Sequence, residues 1–326
     1  MEFFNPNSNV NFMGVRRFTT AIAALLVIVS IAAIATRGLN FALDFTGGTL
    51  VEVSFDSATE QADVIDALEQ AGFRGSMVQR FDSANFAIRL APEQSAEVAA
   101  RVDSEVESSI DARNSAVGNM VLDALRATGK EVTIKRSEFV GPQVGKELAY
   151  NGIVAVLVVL SGIMIYIAMR FEWKFAVATV VGELHDVIVT LGFFAITGLD
   201  FDLTVLAAIL AVDGYSVNDK IVVFDRVREL FRSTRGNAPS EVINRAVNST
   251  LSRTIMTSLT TLVTVVALYL FGGPTVEGFS LALIVGIVVG TLSTIFFAAP
   301  LLLTLGVTKQ DLMPKARDEA ELARRP

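Results

Sequence analysis

Six stretches of mostly apolar residues, each close to the ~20 that a helix needs to cross the hydrocarbon of a bilayer, divide this chain: 18–37, 152–169, 175–196, 203–224, 254–271 and 280–305. The short segments between them differ in charge. Arg16 and Arg17 precede the first span. Arg170 and Lys174 lie between the second and third, and Arg226, Arg228, Arg232, Arg235, Arg245 and Arg253 fill the segment 225–253. Loops 197–202 and 272–279, on the opposite side, hold no Lys or Arg. Because cytoplasmic loops carry the Lys and Arg excess, both termini are expected inside. Residues 1–17, the basic loop 225–253 and the tail 309–326 then face the cytoplasm, and 149–308 forms a five-helix membrane domain. Ala33-Ile34-Ala35 resembles a signal-peptidase site, but the apolar run before it exceeds the ~7–15 residues of a signal-peptide core. The first span is therefore expected to remain as an anchor. The basic, partly amphipathic run from Arg226 to Arg253 suggests a helix lying on the anionic inner leaflet, and more often such a run only anchors the topology.

Between the first two spans, residues 38–148 have soluble character. Thr49–Phe55 alternates, with Leu50, Glu52 and Ser54 on one side and Val51, Val53 and Phe55 on the other, which predicts a strand. Residues 58–71 place Ala62, Ile65 and Leu68 at helical spacing. Ser76–Phe81 and Phe86–Leu90 predict a hairpin around Asp82-Ser83-Ala84-Asn85. Residues 95–127 read as helix with a break near Gly118, and Glu131–Val140 alternates again. The order β-α-β-β-α-β is that of an α+β ferredoxin-like domain. Such a platform carries no chemistry by itself.

The composition agrees with a membrane solvent: 52% hydrophobic and 19% charged residues, against about 25% charged for a soluble domain. Segment 38–146 holds 17 acidic and 10 basic residues, which accounts for the whole net charge of −7. Nucleic acid is excluded as its partner, since phosphate binding needs a basic face. The chain has no Cys and one His. Disulfides and cysteine metal sites are excluded, and a catalytic triad would rest on His185 alone. HExxH, Gly-x-Ser-x-Gly and Walker A motifs are absent, and Ala211-Val212-Asp213-Gly214 lacks the Gly-x-Gly-Asp of intramembrane aspartyl proteases. No enzyme activity, metal or cofactor is expected.

The third and fourth spans carry six ionisable groups: Glu183, His185, Asp186, Asp213, Asp219 and Lys220. At about 2.5–3.5 kcal/mol for one charge at mid-bilayer, six taken singly would cost about 15 kcal/mol. They must face one another, water or a partner helix. At 1.5 Å per residue, Asp219 lies about 9 Å and Asp213 about 18 Å from the inner boundary, and His185 about 16 Å. Arg253, opening span five, lies near the level of Asp219. Two readings follow: a proton relay, in which an acid changes proton affinity as its neighbours change, or ion pairs that register helices. Gly286 and Gly290 form a GxxxG contact face on span six.

Three runs resemble the SecF family of Sec protein-export subunits, in the superfamily of RND exporters. They are Leu43-Asp44-Phe45-Thr46-Gly47-Gly48-Thr49, Phe139-Val140-Gly141-Pro142-Gln143-Val144-Gly145-Lys146-Glu147-Leu148, and Gly214-Tyr215-Ser216-Val217-Asn218-Asp219 with Ser252-Arg253-Thr254. The resemblance implies a polytopic six-helix protein of the bacterial inner membrane, half of an RND-type bundle, with a periplasmic domain between the first two spans. It implies SecD, the SecYEG translocon and YajC as partners, and unfolded polypeptide on the periplasmic side. Protons would drive late-stage translocation. Asp219 resembles the family's proton-carrying aspartate and Arg253 its partner arginine. Asp44, Gly47, Gly48, Gly141, Pro142 and Gly145 become hinge or coupling positions; Gly permits backbone angles closed to other residues and Pro fixes φ. Glu183, Asp213 and Lys220 stand where the resemblance leads one to expect uncharged residues. With His185 and Asp186 they form a secondary relay or ion-pair network. A passive scaffold registering SecD is the rival reading. A small-molecule exporter subunit would need a second large outer domain, for which loop 197–202 is too short.

Overall fold

A computed structural model describes residues 9–91, 110–234 and 237–312. In chain order its helices and its strands of more than two residues begin with α1 (Arg16–Arg37), α2 (Leu43–Thr46), β1 (Gly48–Phe55), α3 (Gln61–Gln70), β2 (Met77–Arg80) and β3 (Asn85–Leu90). Then come α4 (Ile110–Arg126), β4 (Val132–Val140), α5 (Pro142–Arg170), α6 (Trp173–Thr197), α7 (Leu203–Ser233) and α8 (Pro239–Phe271). Helix α9 (Pro274–Ser293), a π turn (Thr294–Ala298), α10 (Ala299–Thr304) and α11 (Lys309–Leu312) complete the order. The chain divides into two units, one of them Phe41–Val154.

In that unit β1 buries Thr49, Val51, Val53 and Phe55 and leaves the residues between them half-buried, as its alternation requires. The sheet order is β2-β3-β1-β4 with every neighbouring pair antiparallel. Val51 pairs with Ile88 of β3, and Gly48 pairs with Val140 of β4. Val64 and Leu68 of α3 and Val121 and Leu125 of α4 close the core over Val53, Phe86 and Ile88. The hairpin turns at Asp82, whose carboxylate accepts from the Ala84 and Asn85 amides at 2.7 and 2.9 Å. Those amide bonds hold its carboxyl below the usual carboxylate range. Helix α4 runs unbroken through Gly118, contrary to the expected break. A Cβ at Gly118 would stand 3.2 Å from Ile134 Cδ1, so this glycine serves close helix–sheet packing. The start of the expected helix, 95–109, lies outside the described residues.

In the other unit, helices within α1, α5, α6, α8 and the α9–α10 run are long and apolar enough to cross a membrane. Helix α7 is as long, but its apolar stretch contains Asp213, Asp219 and Lys220. It packs against α6, α8 and α9. Helix α1 lies along α6, with Ser30 directly over Gly192, where no side chain would fit. Arg37 donates to the Ile196 carbonyl at 2.9 Å.

The basic segment 225–253 does not form a separate helix on the membrane surface. Its described residues are the C-terminal end of α7 and the first half of α8. Val227, Leu230 and Phe231 share one core with Val242, Ile243, Ala246 and Val247. The apolar stripe that made this segment look membrane-seeking is filled by the facing helix. The segment before α1 docks there too: Val10 exchanges hydrogen bonds with Asn248 at 2.8 and 2.9 Å, and Phe12 meets Phe296 edge-on. Lys174 donates to the Gly306 carbonyl and to Asp311, both at 2.8 Å.

Phe86 is fully buried, so Phe86→Ala is expected to cost the Phe41–Val154 unit about 3–5 kcal/mol, read as a lower urea midpoint of its proteolytic resistance. The Lys174 ammonium holds the Asp311 carboxyl below its usual 3.8. Its contribution is therefore present above that value and lost as pH falls through the depressed one. The loss at pH 3 should be under about 1 kcal/mol, and absent in Lys174→Met, by thermal unfolding in detergent.

Candidate functional site

Helical spacing places Glu183 and Asp186 three residues apart on one face of α6, and Asp213, Ser216 and Lys220 at i, i+3 and i+7 on one face of α7. These two faces meet. Lys220 has no exposed surface; its Nζ donates to Glu183 Oε1 at 2.7 Å, Asp186 Oδ2 at 2.8 Å and Ser216 Oγ at 2.6 Å. Three donors thus have three acceptors. Asp186 Oδ2 also accepts from Ser216 and Ser293, each at 2.9 Å, and its Oδ1 lies 2.9 Å from His185 Nδ1. Phe297, inside the π turn, covers the His185 ring at 4.9 Å between centroids. The π turn follows directly on Ser293, a placement such turns often take at functional sites.

The tight fit explains the glycines. A Cβ at Gly182 would stand 2.7 Å from Lys220 Cε, and one at Gly290 would stand 2.7 Å from Ser216 Oγ. Gly286 leaves the same space for Val212. The GxxxG face of α9 therefore receives the charged helix α7.

The cluster is not balanced. Glu183 Oε2, His185 Nε2, Asp213 Oδ2 and Asp219 Oδ2 are buried with no hydrogen-bond partner. Asp213 is within electrostatic reach of Glu183, Asp186 and Lys220. Asp219, one residue from Lys220 and so about 100° round the helix, turns instead toward Thr257 and Arg253 of α8.

The structure thus gathers Glu183, His185, Asp186 and Lys220, with Asp213 beside them. It does not join Asp219 to Arg253: Arg253 is exposed and forms no ion pair with Asp219 among the described residues. Lys220 forms its ion pairs with α6 and none with Asp219, although its charge acts on Asp219 more strongly than that of Arg253 does. Ser216, Ser293, Gly182, Gly290 and Phe297 were not singled out as site residues. The spacing of Ser216 to Lys220 was a usable signal; Ser293 and Phe297 lie on a distant helix and left none.

The two glycine-rich runs also meet. Gly47 and Gly48 take φ of 71° and 117°, angles that favour glycine. Gly141 and Gly145 do not. Gly145 serves close approach instead, since a Cβ there would stand 3.0 Å from the Gly47 amide nitrogen. Asp44 lies in the first turn of α2 and Pro142 opens α5, a favoured position for proline.

Two family models match: "Protein export membrane protein SecD/SecF, C-terminal" over residues 120–308 and "SecD/SecF GG Motif" over residues 32–59. The chain belongs to the SecD/SecF family of protein export membrane proteins. It is 40% identical to the protein translocase subunit SecF of Vibrio alginolyticus, over 96% of this chain and 95% of that one. With the SecF of Pseudomonas aeruginosa the identity is also 40%, over 96% and 97%. The crystal structure of SecDF, a translocon-associated membrane protein from Thermus thermophilus, superposes with a TM-score of 0.80 at 35% identity. That match covers 93% of this chain but only 39% of the SecDF chain. Within the family fold, the charge cluster occupies α6 and α7, both inside the C-terminal family region, and the Gly47-Gly48 run lies in the GG motif.

Lys220→Met leaves two buried carboxylates without their counter-ion and is expected to destabilise the bundle by about 3–5 kcal/mol. Fluorescence-detected thermal unfolding in detergent measures it; a parent-like unfolding temperature would contradict the pairing.

Proposed function

We propose that the chain is an accessory subunit of the Sec translocase that works with SecD and uses the proton gradient to promote late-stage protein translocation across the inner membrane. The observation that carries this is the surplus of acids in the bundle: four buried carboxylates, Glu183, Asp186, Asp213 and Asp219, stand with one buried ammonium, Lys220. Intramembrane groups of this kind are usually functional. Asp219 is the proton carrier, and Arg253 its partner in another stage of the cycle, when the exposed guanidinium turns inward.

In this reading α7 is the sixth span, since its charges are sheltered by α6, α8 and α9. Both termini face the cytoplasm, as the Lys and Arg asymmetry supports. The outer domain is periplasmic and ferredoxin-like, supported by the strand order β2-β3-β1-β4. Six helices make half of an RND-type bundle. The fused Thermus thermophilus SecDF, more than twice as long as this chain, supports SecD as the other half. SecYEG and YajC are the further partners, and emerging unfolded polypeptide is what the outer domain handles. The run Asp44–Gly48 and the run Gly141–Gly145 serve as the hinge, their close packing giving the joint one defined resting geometry.

One elementary charge crossing 100 mV releases about 2.3 kcal/mol, enough to bias a two-state motion about 50-fold. That is too little to draw a whole protein through at once, so the device acts as a repeated ratchet. The rival is a passive scaffold, favoured by the satisfied Lys220 pairs that tie α6 to α7. The readings separate on the gradient. In proteoliposomes holding the full translocase, Asp219→Asn is expected to abolish gradient-dependent completion of translocation while leaving gradient-independent initiation intact. Unchanged gradient dependence would leave the scaffold.

A further inference from the structure

Asp219 has been given the proton-carrying role, yet the deeper part of the cluster raises a separate question of charge. Lys220 supplies one positive charge. Ionising Glu183, Asp186 and Asp213 together would leave two negative charges in excess, and one even with His185 protonated. An uncompensated buried charge costs several kcal/mol, and these three carboxylates are at most 1% exposed. At least one of them must therefore carry a proton.

The hydrogen bonds say which. Both oxygens of Asp186 are already engaged, Oδ2 by Lys220, Ser216 and Ser293 and Oδ1 by His185. Glu183 gives one oxygen to Lys220 and leaves Oε2 buried and bare, and Asp213 leaves Oδ2 buried and bare. A bare, buried carboxyl oxygen beside a second acid is where a proton removes the excess charge. The charged groups facing this pair are His185 and Asp186 from α6 and Lys220 from α7. Helix α9 offers the Ser293 hydroxyl, and Arg253 of α8 acts on Asp219.

We propose that Glu183 and Asp213 form a second proton-binding site in the bundle, deeper than Asp219 and on the opposite side of Lys220 from it. The site binds at least one proton, on the free oxygen of either carboxyl, with no other bond made or broken. Lys220 holds the Glu183 carboxyl in place through Oε1 and leaves Oε2 for the proton. This deepens the proton-driven reading, but it stands on the charge balance alone and is tested without translocation.

The test is infrared difference spectroscopy of the full-length chain in lipid vesicles, titrated between pH 5 and 9, following the C=O stretch of protonated carboxyl groups. The parent is expected to show a band from the deep site that survives in Asp219→Asn and is lost in Glu183→Gln/Asp213→Asn. The double variant keeps the core neutral, with Asp186 opposite Lys220; should it fail to fold, Glu183→Gln and Asp213→Asn taken singly are each expected to shift or weaken the band. Retention of every carboxyl band, unshifted, in the folded double variant or in both single variants would overturn the proposal. So would loss of all protonated-carboxyl signal in Asp219→Asn alone. A failure of Asp219→Asn to affect translocation would leave this result untouched.

Discussion

The ammonium of Lys220 binds two helices that would otherwise have no reason to meet through their polar faces. It is wholly buried and reaches Glu183 and Asp186 across the α6–α7 interface. Both partners lose their hydration, so the pair is stable only with close distances and with the remaining lone pairs filled. The surrounding sequence answers that demand. Gly182 yields space to the lysine stem, Gly290 yields space to Ser216, and Ser293 reaches Asp186 from the end of α9. Removing the charge would leave each of these concessions without purpose, including the glycines that otherwise weaken helices.

The same geometry separates two sets of acids. Lys220 points to α6 and Asp219 turns to α8, because adjacent residues on a helix diverge by about 100°. Helix α7 therefore presents the anchored Lys220 and the bare Asp219 carboxyl on two faces within a single turn. A motion of α7 against α8 can change the surroundings of Asp219 while the Lys220 anchor to α6 persists. This division gives a two-state device a fixed part and a responsive part.

Much of the fold was legible in the sequence. The alternation of Thr49–Phe55 appears as β1 because one face of that strand is buried and the other half-exposed. The hairpin at Asp82 was readable because its turn residues bond their own backbone. The six acidic and basic groups of α6 and α7 were found from their cost in oil. Their pairing was not, since Lys220 and Glu183 lie 37 residues apart on different helices and periodicity fixes a face but not which neighbour it meets. For the same reason the apolar stripe of the basic run 225–253 did not disclose its partner: the end of α7 and the start of α8 pack on each other. Gly118 resembled a helix break because propensity alone cannot see that Ile134 and Ser137 press against it.

The central claim is that protonation inside the bundle changes the shape of the molecule. The chain has no cysteine, so Ser83→Cys in the Phe41–Val154 unit and Thr275→Cys at the start of α9 can be spin-labelled cleanly in the full-length, reconstituted protein. Pulsed electron spin resonance then gives the distance distribution between them at pH 5 and pH 8. The account predicts two populations whose ratio shifts with pH, and no shift in an Asp219→Asn background. One unchanging population at both pH values would contradict it.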